Sequence, residues 1–184
     1  MRRKVLIGLA VMLLGFITFV STRPATFHIE RSTTIAAPAD VAFTQVNDFH
    51  KWAQWSPYEK LDPQMTKTFT GPAEGVGASY SWKGNDKAGE GSMTIEKSDK
   101  PLHISIKLHF LKPFPATNTA TFAFTPDSAN PQATKATWAM DGNNNFVGKL
   151  FSLFVNVDKL VGDDFEKGLA SLKTVAESVS KKTP

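Results

Sequence analysis

The sequence predicts an α+β domain in which an antiparallel sheet curls around one long C-terminal helix. Two patterns predict it. Nearly every stretch between Phe27 and Met140 alternates apolar and polar residues, the two-residue period of strands. From Phe146 to Val179 the apolar residues recur every three or four positions instead. They are Val147, Leu150, Phe151, Phe154, Val157, Val161, Phe165, Leu169, Leu172, Val175 and Val179, one wide face of a helix. A run of strands followed by a single helix argues against a parallel βαβ sheet.

The chain begins with Arg2-Arg3-Lys4 and then Val5 to Thr22, which holds no charged residue. As a helix that run is about 27 Å long, enough for a bilayer core. Its length, and the lack of a small-residue cleavage site around Ser21-Thr22-Arg23-Pro24, favour an uncleaved anchor over a cleaved signal peptide. The basic flank predicts a single pass of the cytoplasmic membrane with the N-terminus in the cytoplasm. The domain then lies outside that membrane, in the periplasm where the envelope has two. The expected division is an anchor or uncleaved signal over residues 1–22 and one domain over 23–184.

Thr26 to Ile35 reads as the first strand, with Phe27, Ile29, Thr33 and Ile35 on one face and His28, Glu30, Ser32 and Thr34 on the other. Arg31 falls on the apolar face. It belongs at a bulge, at the sheet end, or in a pocket as the polar anchor for an anionic group. Pro38 and Asp40 open a short helix that buries Val41, Ala42, Phe43 and Val46. Asn47-Asp48 ends it and caps a second short turn through Trp52, and Pro57 stops that segment. Six more strands are expected near Met65–Thr70, Ala78–Lys83, Gly91–Ser98, Leu102–Leu111, Thr117–Thr125 and Thr134–Asp141. Turn residues separate them, the last group running from Pro126 to Pro131. Asn145 suits the cap of the long helix. Gly162, with Asp163 three residues before Glu166 in a capping-box spacing, predicts a bend or break there.

Composition removes several classes. The chain has no cysteine, hence no disulfide framework and no thiol chemistry. Its formal charge is +4, but Arg2, Arg3 and Lys4 supply three of those charges. From Arg23 onward 18 Lys and Arg face 17 Asp and Glu, without a basic stripe, so nucleic acid is not an expected partner. The four histidines are scattered, and no cluster has metal-ligand spacing. Neither Gly-x-Ser-x-Gly nor a phosphate loop occurs. No catalytic set, cofactor or metal is predicted.

The run Val46-Asn47-Asp48-Phe49-His50-Lys51-Trp52, followed by Trp55-Ser56-Pro57-Tyr58-Glu59, resembles the polyketide cyclase/dehydrase branch of the START-like (SRPBCC) superfamily. Ile35-Ala36-Ala37-Pro38 with Val41-Ala42-Phe43 matches the strand-to-helix opening of that superfamily. Asp158-Lys159, Gly162 and Asp164 to Leu169 are similar to its closing run. The resemblance covers Phe27 to Glu177. It implies the helix-grip fold: a seven-stranded antiparallel sheet around a long C-terminal helix, with two short helices after the first strand. Members of the superfamily include lipid carriers, aromatic polyketide cyclases and hydrolases. No catalytic motif of the branch carries over residue by residue.

Alternation places Tyr80, Trp82, Phe110, Asn118, Phe122, Phe124, Trp138 and Met140 on the inner face of the sheet. Phe151 and Phe154 are expected opposite them on the helix, with Trp138 facing those first turns. These residues form either a filled aromatic core or the wall of a ligand pocket; the implied fold weighs toward the pocket. Tyr80, Asn118 and Arg31 are its polar groups. The preferred reading is a monomeric, membrane-anchored binding or carrier domain for a small hydrophobic molecule, lipid-like or aromatic. The alternatives are a metal-free cyclase- or hydrolase-type enzyme and a non-catalytic envelope interaction protein.

Overall fold

The computed structural model describes residues 2–130 and 132–182. Pro131, expected in the turn before the last strand, lies outside them.

An N-terminal helix α1 (Arg2–Ser21) leads into strand β1 (Thr26–Ile35). Helix α2 (Ala39–Asn47) follows, then two short 3-10 segments, Phe49–Gln54 and Pro57–Lys60. Six strands come next: β2 (Thr66–Thr70), β3 (Ser79–Lys83), β4 (Glu90–Asp99), β5 (His103–Lys112), β6 (Ala116–Pro126) and β7 (Thr134–Asn143). Helices α3 (Phe146–Phe151) and α4 (Val157–Lys182) close the chain.

The strands form one antiparallel sheet in the order β1-β7-β6-β5-β4-β3-β2. Strands β2 to β7 are a meander, each beside its predecessor, because their short turns permit nothing longer. β1 joins the far edge beside β7, in register from Thr26 opposite Asn143 to Ile35 opposite Thr134. That register defines two ends of the sheet. Thr26 and Asn143 mark the end next to α1; Ile35 and Thr134 mark the distal end.

Alternation sorts the side chains as the strand period requires. Ile29 and Ile35 of β1, Met93 and Ile95 of β4, Ile104 and Ile106 of β5, Phe122 and Phe124 of β6 and Trp138 of β7 are all buried on one face. Phe165, Leu169, Leu172 and Ala176 of α4 pack against that face, with Phe43 and Val46 of α2. The layers are those of a helix-grip fold. The 3-10 segments are pinned by their tryptophans: Trp52 Nε1 donates to the Val46 carbonyl at 2.9 Å, and Trp55 Nε1 to the Gln45 carbonyl at 3.1 Å. Asp48 caps the first of them by accepting the His50 N–H.

The long helix departs from expectation in one respect. It is broken, but at residues 152–156 rather than at Gly162. Asn145 caps α3 as predicted, its Oδ1 accepting the Gly148 N–H at 2.9 Å. A second asparagine, Asn156, starts α4 in the same way, accepting the Lys159 N–H at 2.9 Å. Gly162 lies inside α4, where a Cβ would collide with the guanidinium of Arg31. Asp163 does not cap; it pairs with Lys159 one turn back, and Glu166 reaches across to Arg31.

α1 is 20 residues long, about 30 Å, and is long and apolar enough to cross a membrane. Its apolar side chains are exposed apart from Val20.

Candidate functional site

The inner face of the sheet divides into a closed part and an open part. Trp138 is at the centre of the closed part. Its indole stacks on Phe165 of α4, with centroids 4.1 Å apart and planes 9° apart, and on Phe122 at 4.9 Å. Trp55 and Tyr58 meet it edge-on. Phe124 lies beside Phe122 and is met edge-on by Phe43. A Cβ at Gly168 would come within 2.6 Å of the Trp138 ring, so the absence of a side chain there lets α4 approach. Of the expected pocket wall, Phe122, Phe124 and Trp138 are therefore brought together as packed core, with Phe165 rather than Phe151 or Phe154 as the partner on the helix. The reason is the break after α3, which carries Phe151 and Phe154 away from the sheet.

Tyr80 is buried in a second aromatic group. Phe69 stacks on it at 5.0 Å, with Phe49 and Trp82 alongside. Its hydroxyl donates to Glu59 Oε1 at 2.8 Å, and the other carboxylate oxygen takes the Lys67 ammonium. The Glu59 side chain is 8% exposed. Burial, then the hydrogen bond and charge of Glu59, push the Tyr80 phenol above its ordinary range. Glu59 had no sequence signal beyond its place in the Trp55–Glu59 run.

Arg31 is not a free anchor. Nε donates to Glu166 and one terminal nitrogen to the Glu30 carbonyl and the Asp158 carboxylate. The other donates to the Asp158 carbonyl and carboxylate. All its N–H groups are used within the chain. Its place on the apolar face is explained by Gly162, over which the guanidinium lies to tie β1 to α4.

The open part lies toward α1. Trp82, Leu108 and Phe110 are half-buried on the inner face, Trp82 and Phe110 meeting edge-on at 5.9 Å. Phe27 continues this surface on β1. Beside it a groove of about 500 Å³ opens between β1 and the α3–α4 connection. Phe27, Leu153, Phe154, Val155 and Val157 give it apolar walls, with Pro24, Asn144 and Asp158 at its edges. Phe154 stands on the rim, 79% exposed. Phe151 is half-exposed on α3 and does not line the groove. A smaller hollow of about 360 Å³ adjoins it across Phe27, lined by Asn118, His28, Asp141 and Gly142 among others. Asn118 is buried, its amide 3.9 Å from the Met140 sulfur and its carbonyl oxygen without a partner. A buried unsatisfied group of this kind carries a cost of about 1–3 kcal/mol that a ligand donor would relieve.

Leu153 and Val155 were not legible as groove residues, because Ser152 to Asn156 continues the helical period without Gly or Pro. Asn156, a strong N-cap residue, was the available signal. Among the described residues no group of three or more His, Asp or Glu is placed to hold a metal ion.

The sequence profile described as polyketide cyclase/dehydrase and lipid transport matches residues 26–177, nearly the whole domain. The chain belongs to that family. Solved structures share the fold of this family member at low identity. A protein from Nitrosospira multiformis is 16% identical with a TM-score of 0.59, covering 84% of this chain and 99% of its own. A Thermobifida fusca protein is 20% identical, with a TM-score of 0.59 and coverage of 81% and 92%. A START superfamily protein from Mycobacterium smegmatis is 16% identical, with a TM-score of 0.56 and coverage of 83% and 98%. No curated protein matches the chain. The family and the neighbours together support a START-like fold.

Proposed function

We propose that this protein is a membrane-anchored, extracytoplasmic domain that binds or carries a small hydrophobic molecule, lipid-like or aromatic. The observation that carries this reading is the apolar groove of about 500 Å³ between β1 and the α3–α4 connection. Its size and its walls of Phe27, Leu153, Val155 and Val157 suit one acyl chain or a fused-ring compound. Asn118, whose buried side-chain oxygen has no partner, lies in the adjoining hollow across Phe27, on the same half of the sheet. Family membership supports ligand binding as the role of the fold. The anchor is α1, with Arg2, Arg3 and Lys4 on the cytoplasmic side by the charge rule.

Native mass spectrometry of the full chain, extracted gently from its own membrane, tests the reading. A co-purified hydrophobic molecule, displaced when Val155→Trp fills the groove, is the expected result. Repeated absence of any such molecule, with no gain in thermal stability from a lipid panel, would count decisively against it.

A further inference from the structure

The surface of α3 is unlike that of a helix on a water-facing domain. Phe146, Val147 and Phe151 are exposed, as is Phe154 just beyond, within nine residues. Such a patch is rarely left to water. What lies next to it is the outer end of α1. The Lys149 ammonium donates to the Ser21 carbonyl at 2.9 Å, and Val20 is the one buried residue of α1 among those described. Lys149 thereby sits at the negative end of the α1 dipole. Arg23 stacks its guanidinium on Phe19 at 4.5 Å, in the manner of a cation at a membrane boundary.

The sheet adds an independent mark at the same end. Phe110 pairs with Ala116, and Asn118 pairs with Gly142 opposite Phe27. The β5–β6 turn therefore projects beyond the Phe27 row by at least two residues, about 7 Å. At its tip Phe114 is 66% exposed, and Leu111 is exposed beside it. Glu74, the distal reference position, lies in the β2–β3 loop near the Gly75–Asn47 hydrogen bond. Among the described residues, the turns at that end of the sheet expose only the single aliphatic side chains Val76 and Leu102, in separate turns, and no aromatic.

We infer that α3 and the residues through Phe154 form a second membrane contact, lying in the headgroup–acyl boundary of the outer leaflet beside α1. This inference rests on the anchored reading above. It goes further, because a tether alone would leave the domain free to tumble above the bilayer. A six-residue helix with Phe and Val outward and one snorkelling lysine is built for interfacial burial. The groove, whose rim is Phe154, then opens at the lipid headgroups, and its occupant is a membrane lipid taken laterally rather than a solute from water.

The test uses the full chain in vesicles of phosphatidylcholine and phosphatidylglycerol. The protein has no cysteine, so Val147→Cys carries a single environment-sensitive fluorophore and Glu74→Cys serves as the distal control. Phe146→Cys repeats the measurement in case one label disturbs α3. The expected result is blue-shifted emission at residues 146 and 147, quenched several-fold more by doxyl-labelled lipid than at residue 74. A probe at 147 as open to aqueous iodide as that at 74 overturns the inference alone, provided the chain resists carbonate extraction and still takes up lipid. A probe shielded from iodide yet untouched by doxyl lipid marks a protein cover and overturns it too. A chain that carbonate releases from the vesicles overturns this inference together with the anchored reading.

Discussion

Trp138 of β7 and Phe165 of α4 stack face to face, 4.1 Å between centroids and 9° from parallel. The contact fixes the height of the long helix above the sheet. Phe122 also stacks on the indole at 4.9 Å, and only 3% of Trp138 remains exposed. A position facing Phe151 and Phe154 at the edge of a cavity implies a loss of about 1–3 kcal/mol on truncation. The closed packing raises this to the core value. Trp138→Ala is expected to cost about 3–5 kcal/mol, read as a shift in denaturant midpoint at constant slope for the full chain in detergent. Trp138→Phe should cost much less, since it also removes an indole N–H that has no partner. A loss below about 1 kcal/mol for the alanine variant would show that the ring is not core.

The strands were legible because both properties that reveal them are local. Period-two alternation sets the face, and Gly, Pro and Asn set the turns, so the sequence-predicted strands lie within two residues of those observed. Asn145 was legible for the same reason. Gly162 misled because one residue type serves two purposes. Read locally it weakens a helix; in three dimensions it clears space for a guanidinium that arrives from 131 positions earlier in the chain. The pocket was half legible. Alternation identified the inner face, but whether a ring there is wall or core depends on how close the helix comes. Gly168, which decides that, has no signature apart from its partner Trp138.

The pairing of Gly162 with Arg31 predicts a change of sign. In the native chain, Gly162→Ala displaces the guanidinium from Asp158 and Glu166 and lowers stability. Once Arg31→Ala has cleared the space, the same substitution should stabilise, because alanine is favoured over glycine within a helix by about 0.8–1 kcal/mol. A double-mutant cycle on thermal unfolding measures this coupling. Additive effects of the two substitutions would mean that the guanidinium does not lie over Gly162.

Acid should loosen the attachment of α4. Its hydrogen bond from Arg31 holds Asp158 below the ordinary carboxylate value, and the Ala36 N–H does the same for Glu177. A lowered value in the folded state means that the stability is complete above the unfolded-state value and is lost as pH falls through the folded one. The window therefore opens below about pH 4.5, the unperturbed value for Glu177. Glu177→Gln and Asp158→Asn should each flatten the fall in melting temperature below that point. An unchanged acid limb in the double variant would show that these contacts do not set it.

Alkali tests the two phenols. The protein has two tyrosines, and both phenols are pushed above their ordinary value of 10.0. For Tyr58 the cause is burial, followed by the charge of Asp164. For Tyr80 it is burial, followed by its hydrogen bond to Glu59 and that carboxylate's charge. Ionising Tyr80 would place a phenolate against the carboxylate that now accepts its proton at 2.8 Å. The folded chain thus holds both phenolic protons more tightly than the unfolded chain does. Their contribution to stability is complete below pH 10 and declines as pH rises from there toward the folded values. Near-ultraviolet absorbance should show no phenolate in the folded protein about one unit above the ordinary value. Denaturant added at that pH should then reveal two, and only one in Tyr80→Phe. Phenolate absorbance that rises around pH 10 while the protein remains folded, and that Tyr80→Phe removes, would mean that Tyr80 is open to water and that the Glu59 contact does not hold the second 3-10 segment against β3.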